Sequence, residues 1–458
     1  MTALSLALLA VLAGCGGGSK SSSRAQSAAG VNSNTTTTIG LVASATPLAS
    51  AQAVMGPDIT ALALQVTAQG VPVELQGVTV KASGTVDETQ AIGAVRLVGD
   101  DDRNGRYTAG EPVLATVAAP AFTANDGSVT LTLATPINLA AGASLNLLVV
   151  VDASAIGQTA ISRIGQTIAL SVETAAELPA TSGGQPHSAT GPFPLAASVA
   201  LGLNDHLLIT EIVGDPTDAE FIELFNPTAL PIDLSTVYIT DSDDLNSPKT
   251  IEYYNLPTGA NYGPANLAAD IMVRFPAGTT LAPGACVVMA TDGAGYLATY
   301  GTAANFCARN PAGGAVQMLT STGSGNVWTA TPISGSVSPF YPYGEPVVVF
   351  TWDGQSDLVR DLDMIYTGTK TTSGANDPHD KTGVAIDGPD TDTTPSVYLA
   401  DTSGALQANV TGVIAQRVDF TEGGERKTGG NGLTGHDESS EPVDVTFITA
   451  TTATPGTP

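Results

Sequence analysis

From Leu145 to Val151 the chain reads LNLLVVV, with Leu145, Leu147, Val149 and Val151 at every second position. A period of two fits a strand and not a helix, because successive side chains of a strand point to opposite faces. It also restricts register, since a slip of one residue would turn the whole apolar set to the other face. The alternation recurs at Leu62, Leu64 and Val66, and at Val78 and Val80. It recurs again at Val129, Leu131 and Leu133, interleaved with Thr130 and Thr132, and at Ile168, Leu170 and Val172. Turn-forming clusters such as Asn125-Asp126-Gly127 and Ala141-Gly142 separate the runs. Short strands at this spacing predict an antiparallel sandwich over residues 39–203. Thr and Val suit such a pleated surface, and 50 Gly and 29 Pro supply its turns.

A second unit is expected over residues 204–458, since a chain of 458 residues has room for two or three domains. Leu208 with Ile212, Phe221–Phe225, and Val237 with Ile239 read as strands, and Pro227 and Pro231 delimit their connections. Pro346–Phe350 and Met364–Tyr366 read as further strands, while the Thr-, Gly-, Asp- and Pro-rich tract Thr367–Thr394 reads as a long loop. The expected fold class is therefore all-β, with two antiparallel β-sandwich domains.

Particular residues carry a resemblance in each part of the chain. Ile209-Thr210-Glu211-Ile212, Glu220-Phe221-Ile222-Glu223-Leu224 with Asn226, and Ile232-Asp233-Leu234-Ser235 open the second unit. Leu281-Ala282-Pro283-Gly284 precedes Val287-Val288-Met289, and Thr454-Pro455-Gly456 closes the chain. With these residues the unit resembles the lamin tail domain, an Ig-like β-sandwich of nuclear lamins and of many bacterial exported proteins. The stretch 301–432 exceeds the usual domain and reads as an insertion. The resemblance implies an accessory or interaction module and supplies no catalytic residues. The first unit loosely resembles Ig-like modules of bacterial surface proteins.

At the N-terminus, Ala3–Ala13 is an apolar run too short to span a bilayer, and it fits a signal-peptide core. Leu12-Ala13-Gly14-Cys15 resembles the lipobox of bacterial lipoproteins. That resemblance implies a signal peptide over 1–14, a diacylglycerol on the Cys15 thiol, and, with Gly16 next, residence at the outer membrane. Residues 15–38, rich in Gly, Ser and Thr, read as a flexible tether. A lipid-anchored protein of the cell envelope or cell surface follows, with the membrane as one partner. No later run approaches 18 apolar residues, so no second membrane segment is expected. An exported chain meets an oxidising compartment, and its other two cysteines, Cys286 and Cys307, are expected to form a disulfide. Closing that loop would contribute roughly 3 kcal/mol by the chain-entropy argument.

Charge narrows the partners further. With 43 Asp plus Glu against 16 Lys plus Arg, the net charge is −27. Such a surface repels phosphate backbones, so nucleic acid is not expected and divalent cations are. The strongest cation motif lies in VRLVGDDDRNGRYTAGEPVLATV, residues 95–117. Asp100, Asp102, Asn104, Gly105 and Glu111 follow the D-x-[DN]-x-[DN]-G-x5-E spacing of a calcium loop. Asp100, Asp102 and Asn104 offer side-chain oxygens, Arg106 its carbonyl, and Glu111 a bidentate carboxylate, all hard ligands suited to Ca²⁺. Period-two apolar residues flank this loop, so it is expected to join two strands rather than two helices.

Catalysis finds less support. The sequence holds no H-E-x-x-H, G-x-S-x-G or Walker-type loop, and its four histidines, at 187, 206, 379 and 436, are scattered. Glu220 and Glu223 read as sheet-edge and structural polar residues. Thr428–Glu438, TGGNGLTGHDE, reads as a solvated loop despite its His436, as do His379-Asp380, Asp241-Ser242-Asp243 and Asp390-Thr391-Asp392. The expected function is a non-enzymatic surface binding or scaffolding module with structural calcium, whose partner is an envelope protein or extracellular polymer. The alternative is a carboxylate-dependent extracellular hydrolase, or an accessory domain of one.

Overall fold

In the computed structural model, Ser144–Val151 lies between Ile59–Gln69 and Val95–Gly99 in a five-stranded sheet, with Gly40–Thr46 and Val113–Val117 at the edges. Val149 stands opposite Leu62 on one side and Leu97 on the other, and Leu147 opposite Leu64. The structure describes residues 40–154, 161–241, 251–263, 270–334, 339–340, 345–367, 380–402 and 413–458. The expected signal peptide, Cys15 and the tether to residue 38 lie outside them, as does His379.

A second sheet takes the order Gln185–His187, Ala180–Ser182, Val73–Gly84, Thr167–Val172, Leu195–Gly202, Gln52–Val54, and Ser128–Leu139 also pairs with Val73–Gly84. The inward residues of both sheets, Leu64, Val80, Leu147 and Leu170 among them, form one buried cluster. Burial of such apolar area at about 25 cal/mol per Å² is the main force joining the sheets. Leu148 and Val150 point to the outer face yet are buried too, with Ala63 and Val98, under Leu48 and Tyr107. Tyr107 belongs to the loop after Gly99, so that loop closes the outer face.

The second core runs from Leu207 to Phe447. One of its sheets has seven strands, in the order Val316–Gln317, Phe306–Arg309, Cys286–Asp292, Phe221–Phe225, Leu208–Val213, Ile414–Arg417, Phe447–Thr449. The facing sheet has five: Leu319–Thr320, Met272–Arg274, Val237–Thr240, Glu345–Thr351 and Arg360–Thr367. Ile222 and Leu224 meet Ile239 and Val349 in the core, and Tyr238 stacks on Phe350 with ring centroids 5.1 Å apart. The chain is all-β, apart from short helices such as Gly293–Tyr300.

That helix marks a local departure from antiparallel order. Cys286–Asp292 and Phe306–Arg309 run parallel, and a parallel pair needs a crossover, which Gly293–Tyr300 provides. Asp292 caps it by accepting the Ala294 and Gly295 N–H groups. Gly295 is needed for contact: a Cβ there would lie 1.8 Å from the Asp218 carbonyl oxygen. Ile414–Arg417 pairs with Leu208–Val213 and so returns residues 414–441 to the start of the unit. This long-range closure builds the site described next.

Candidate functional site

Among the described residues, candidate ligands cluster in each sandwich. In the first, Val95–Gly99 and Val113–Val117 are paired, and the expected calcium loop spans the turn between them. Carboxylate oxygens of Asp100, Asp102 and Glu111 lie within 4.8 Å of one another. Asp100 Oδ1 and Asp102 Oδ1 both accept the Asn104 N–H, at 3.1 and 3.0 Å. Glu111 accepts from Asp101 N–H at 3.1 Å and Thr108 N–H at 2.9 Å. Asn104 Oδ1 accepts from Arg106 N–H at 2.7 Å, and Tyr107 N–H donates to Thr60 Oγ1 at 2.9 Å, which holds the Arg106 main chain against the sheet. Gly105 has a φ of 73°. A Cβ there would come within 2.7 Å of the Pro47 carbonyl oxygen, so both backbone and space require glycine.

The second cluster is buried in the second sandwich, where Asp205 and His206 precede Leu208–Val213. His206, Glu422, Glu425, His436, Glu438 and Glu441 are all buried, together with Asp363 and Arg417. His206 Nδ1 lies 2.9 Å from Asp205 Oδ1, while its Nε2 lies 3.2 Å from Glu422 Oε2 and 4.0 Å from Glu438 Oε1. His436 Nδ1 lies 3.3 Å from Glu425 Oε2, and the two imidazole rings meet edge to face at 5.0 Å. Arg417 Nη1 reaches Glu441 at 3.0 Å and Glu422 at 3.4 Å, and Nη2 holds Asp363. Lys427 bridges Glu422 and Glu425 from the rim.

The electrostatics follow from this crowding. Burial opposes the His206 imidazolium, but the Glu422 and Glu438 carboxylates outweigh it and hold its pKa well above the ordinary histidine value. Burial drives the Glu438 carboxyl well above the ordinary carboxylate range against the pull of His206, and drives Glu441 up against Arg417. Several polar atoms here have no hydrogen-bond partner among the described residues: His206 Nε2, both oxygens of Glu438, Glu425 Oε1 and His436 Nδ1.

The structure corrects several sequence expectations. Thr428–Glu438 is no solvated loop where it carries charge, since His436, Asp437 and Glu438 are buried. A Cβ at Gly430 would lie 2.2 Å from the His436 carbonyl oxygen, and Gly429 and Gly435 take φ of 85° and 91°, so these glycines have a backbone or packing reason. Glu220 and Glu223 are fully buried rather than at a sheet edge. Glu223 stands opposite Glu211, and burial raises the pKa of both carboxyls. Thr454 N–H donates to both Glu211 oxygens at 3.1 Å and Gly456 N–H donates to Glu223, so the closing Thr454-Pro455-Gly456 clasps this acid pair. Asp241 is buried and accepts the Ile271 N–H, whereas Asp392 is exposed.

The expected Cys286–Cys307 disulfide is not formed, and both thiols are free. Cys307 stands opposite Ala290, four positions along the strand from Cys286. At about 3.3 Å per residue that offset is roughly 13 Å, beyond the ~7 Å Cα separation a disulfide tolerates. Burial raises both thiol pKa values, Cys307 to about 11, which disfavours the reactive thiolate. Of the residues in the second cluster, the motif TGGNGLTGHDE contains only His436 and Glu438. Nothing local marks His206 as a partner of Glu422 and Glu438, because more than 200 residues separate them along the chain.

No protein-family model matches the chain, and no curated protein matches it. Among solved structures, the chain is similar to the crystal structure of a DUF4876 family protein from Bacteroides thetaiotaomicron VPI-5482. The two share 12% identity, the match covers 80% of this chain and 94% of that chain, and the TM-score is 0.29.

Proposed function

We propose that this chain is a non-enzymatic, lipid-anchored cell-envelope protein, a binding or scaffolding module whose first sandwich is stiffened by one Ca²⁺. In this reading the second sandwich is a lamin-tail-like domain, and the partner is an envelope protein or an extracellular polymer. The observation that carries the reading is the convergence of Asp100, Asp102 and Glu111 in a loop whose neighbour Tyr107 covers the outer face of the sheet. Bringing these carboxylates together costs repulsion that a hard divalent cation removes, so binding orders the loop and the strands it joins. Extracellular calcium is plentiful enough to fill even a weak site of this type.

With free Ca²⁺ a hundredfold above Kd, stability is expected to rise by about 2.7 kcal/mol by mass action. Thermal melts in calcium and in chelator measure this, and Asp102→Ala should abolish the difference. Identical melts of the unaltered chain in both conditions would reduce the motif to an acidic turn. Anchorage has its own test. A thioether-linked diacylglycerol buries two acyl chains at about 0.8 kcal/mol per methylene, enough for durable membrane residence. Cys15→Ser is expected to move the protein from the membrane fraction to the soluble one, and unchanged fractionation refutes the anchor.

A further inference from the structure

We propose that His206, Glu422 and Glu438 form a binding site for a divalent transition-metal cation of zinc type, distinct from the calcium-type loop. Ligand atoms of the three residues lie within 4.8 Å of one another, and all three side chains are buried. An acidic cluster alone would prove little. Here, however, Glu438 is 2% exposed and neither of its oxygens has a hydrogen-bond partner among the described residues. His206 Nε2, which faces both carboxylates, also lacks a hydrogen bond of acceptable geometry.

Leaving both oxygens of a buried carboxylate without a hydrogen bond is among the costlier choices a fold can make. Protonating Glu438 would remove its charge but still leave its oxygens without donors from the described residues. A cation satisfies the carboxylate and the imidazole together. Bonds of 2.0–2.2 Å in a tetrahedral arrangement place ligand atoms about 3.4 Å apart. His206 and Glu422 stand at 3.2 Å, and His206 and Glu438 at 4.0 Å, so closure on an ion needs only a small approach by Glu438.

The surroundings suit a metal centre as well. Asp205 accepts from His206 Nδ1, the arrangement that fixes a ligating histidine with its Nε2 lone pair toward the ion. Asn204 Nδ2 donates to Glu422 at 2.8 Å and orients that carboxylate. Imidazole nitrogen beside two carboxylates favours Zn²⁺ over Ca²⁺ or Mg²⁺, which prefer oxygen alone. Asp205 and Thr434, hydrogen-bonded at 3.1 Å, line a cavity of about 720 Å³. The bound cation would tie the segments carrying Glu422 and Glu438 to the start of the second sandwich.

The test uses the full chain, stripped of metal and then saturated with millimolar Ca²⁺ to fill the first loop. Titration with Zn²⁺, followed by calorimetry and metal analysis, should give one tightly bound ion per chain and a raised melting temperature. Glu438→Gln should weaken that binding at least tenfold, whereas Asp102→Ala should leave it unchanged. Failure of the calcium test would thus not decide this one. Circular dichroism checks that the Gln variant folds. If it does not, visible absorption of Co²⁺ bound to the unaltered chain reports the ligand set directly. Absence of Zn²⁺ binding, equal binding by a folded Glu438→Gln variant, or a Co²⁺ spectrum without nitrogen ligation overturns the proposal.

Discussion

Arg417→Met is expected to destabilise the protein by about 3–5 kcal/mol and to lower its melting temperature by roughly 6–20 °C. The guanidinium is buried and touches Asp363, Glu422 and Glu441, while its Nε donates to the Ile209 carbonyl at 2.6 Å. Methionine fills a similar volume but supplies no donor and no charge, so Asp363 and Glu441 lose their cation inside the protein. Removing one partner of a buried pair costs far more than the pair's own net contribution, because the abandoned charge stays desolvated. The lost bond to Ile209 also loosens the junction between Leu208–Val213 and Ile414–Arg417, the pairing that closes the seven-stranded sheet. Calorimetric melts of the two proteins measure the effect. A melting temperature within a degree or two of the parent would mean that the carboxylates find other donors and that the argument fails.

Lys381→Met is expected to cost about as much, 3–5 kcal/mol, through a separate network. Lys381 is fully buried, although it stands in the tract Thr367–Thr394 whose composition reads as a long loop. Its ammonium pairs with Asp361 and lies 3.5 Å from Asp401, and it faces the rings of Tyr253 and Tyr398 at 5.8 Å each. Tyr253 Oη donates to Asp361 at 3.0 Å and Asn431 donates to Asp401 at 2.8 Å, so the acids keep some donors in the variant but no cation.

The penalty should depend on pH in a definite direction. Burial already raises the Asp361 pKa, with Lys381 the chief opposing influence, and removing the ammonium raises it further. Between the unfolded and folded pKa values the folded state then binds more protons, so stability falls as pH rises through that window. The deficit of Lys381→Met should therefore be smaller at pH 5 than at pH 8. Adding Asp361→Asn should recover part of it at the higher pH. Urea unfolding at both pH values decides. A deficit independent of pH, or one that Asp361→Asn deepens, would contradict the electrostatic account.

Local sequence determined the strands and the calcium-type loop because each depends on residues close along the chain. Leu145, Leu147, Val149 and Val151 specify a strand by their own spacing, and Asp100 to Glu111 bring three carboxylates together within one turn. The helix Gly293–Tyr300 was hidden because eight residues are too few to show a helical period, and with it went the parallel pairing that separates Cys286 from Cys307.

Tertiary structure alone decided which charges are buried. Asn204 and Glu422 are hydrogen-bonded across a separation of 218 residues, and Arg417 reaches Ile209 across 208. In the sequence, Glu422, Glu438 and Lys381 stand among glycines, threonines and other charged residues, a composition that favours solvent exposure. Whether such a side chain is solvated or desolvated depends on the counter-charge that sheet closure brings to it, and a distant partner leaves no local periodicity to read. The sequence could therefore specify which residues form strands and which loop gathers oxygen ligands, while the return of residues 414–441 to the start of the second sandwich determined where Glu422 and Glu438 meet a histidine.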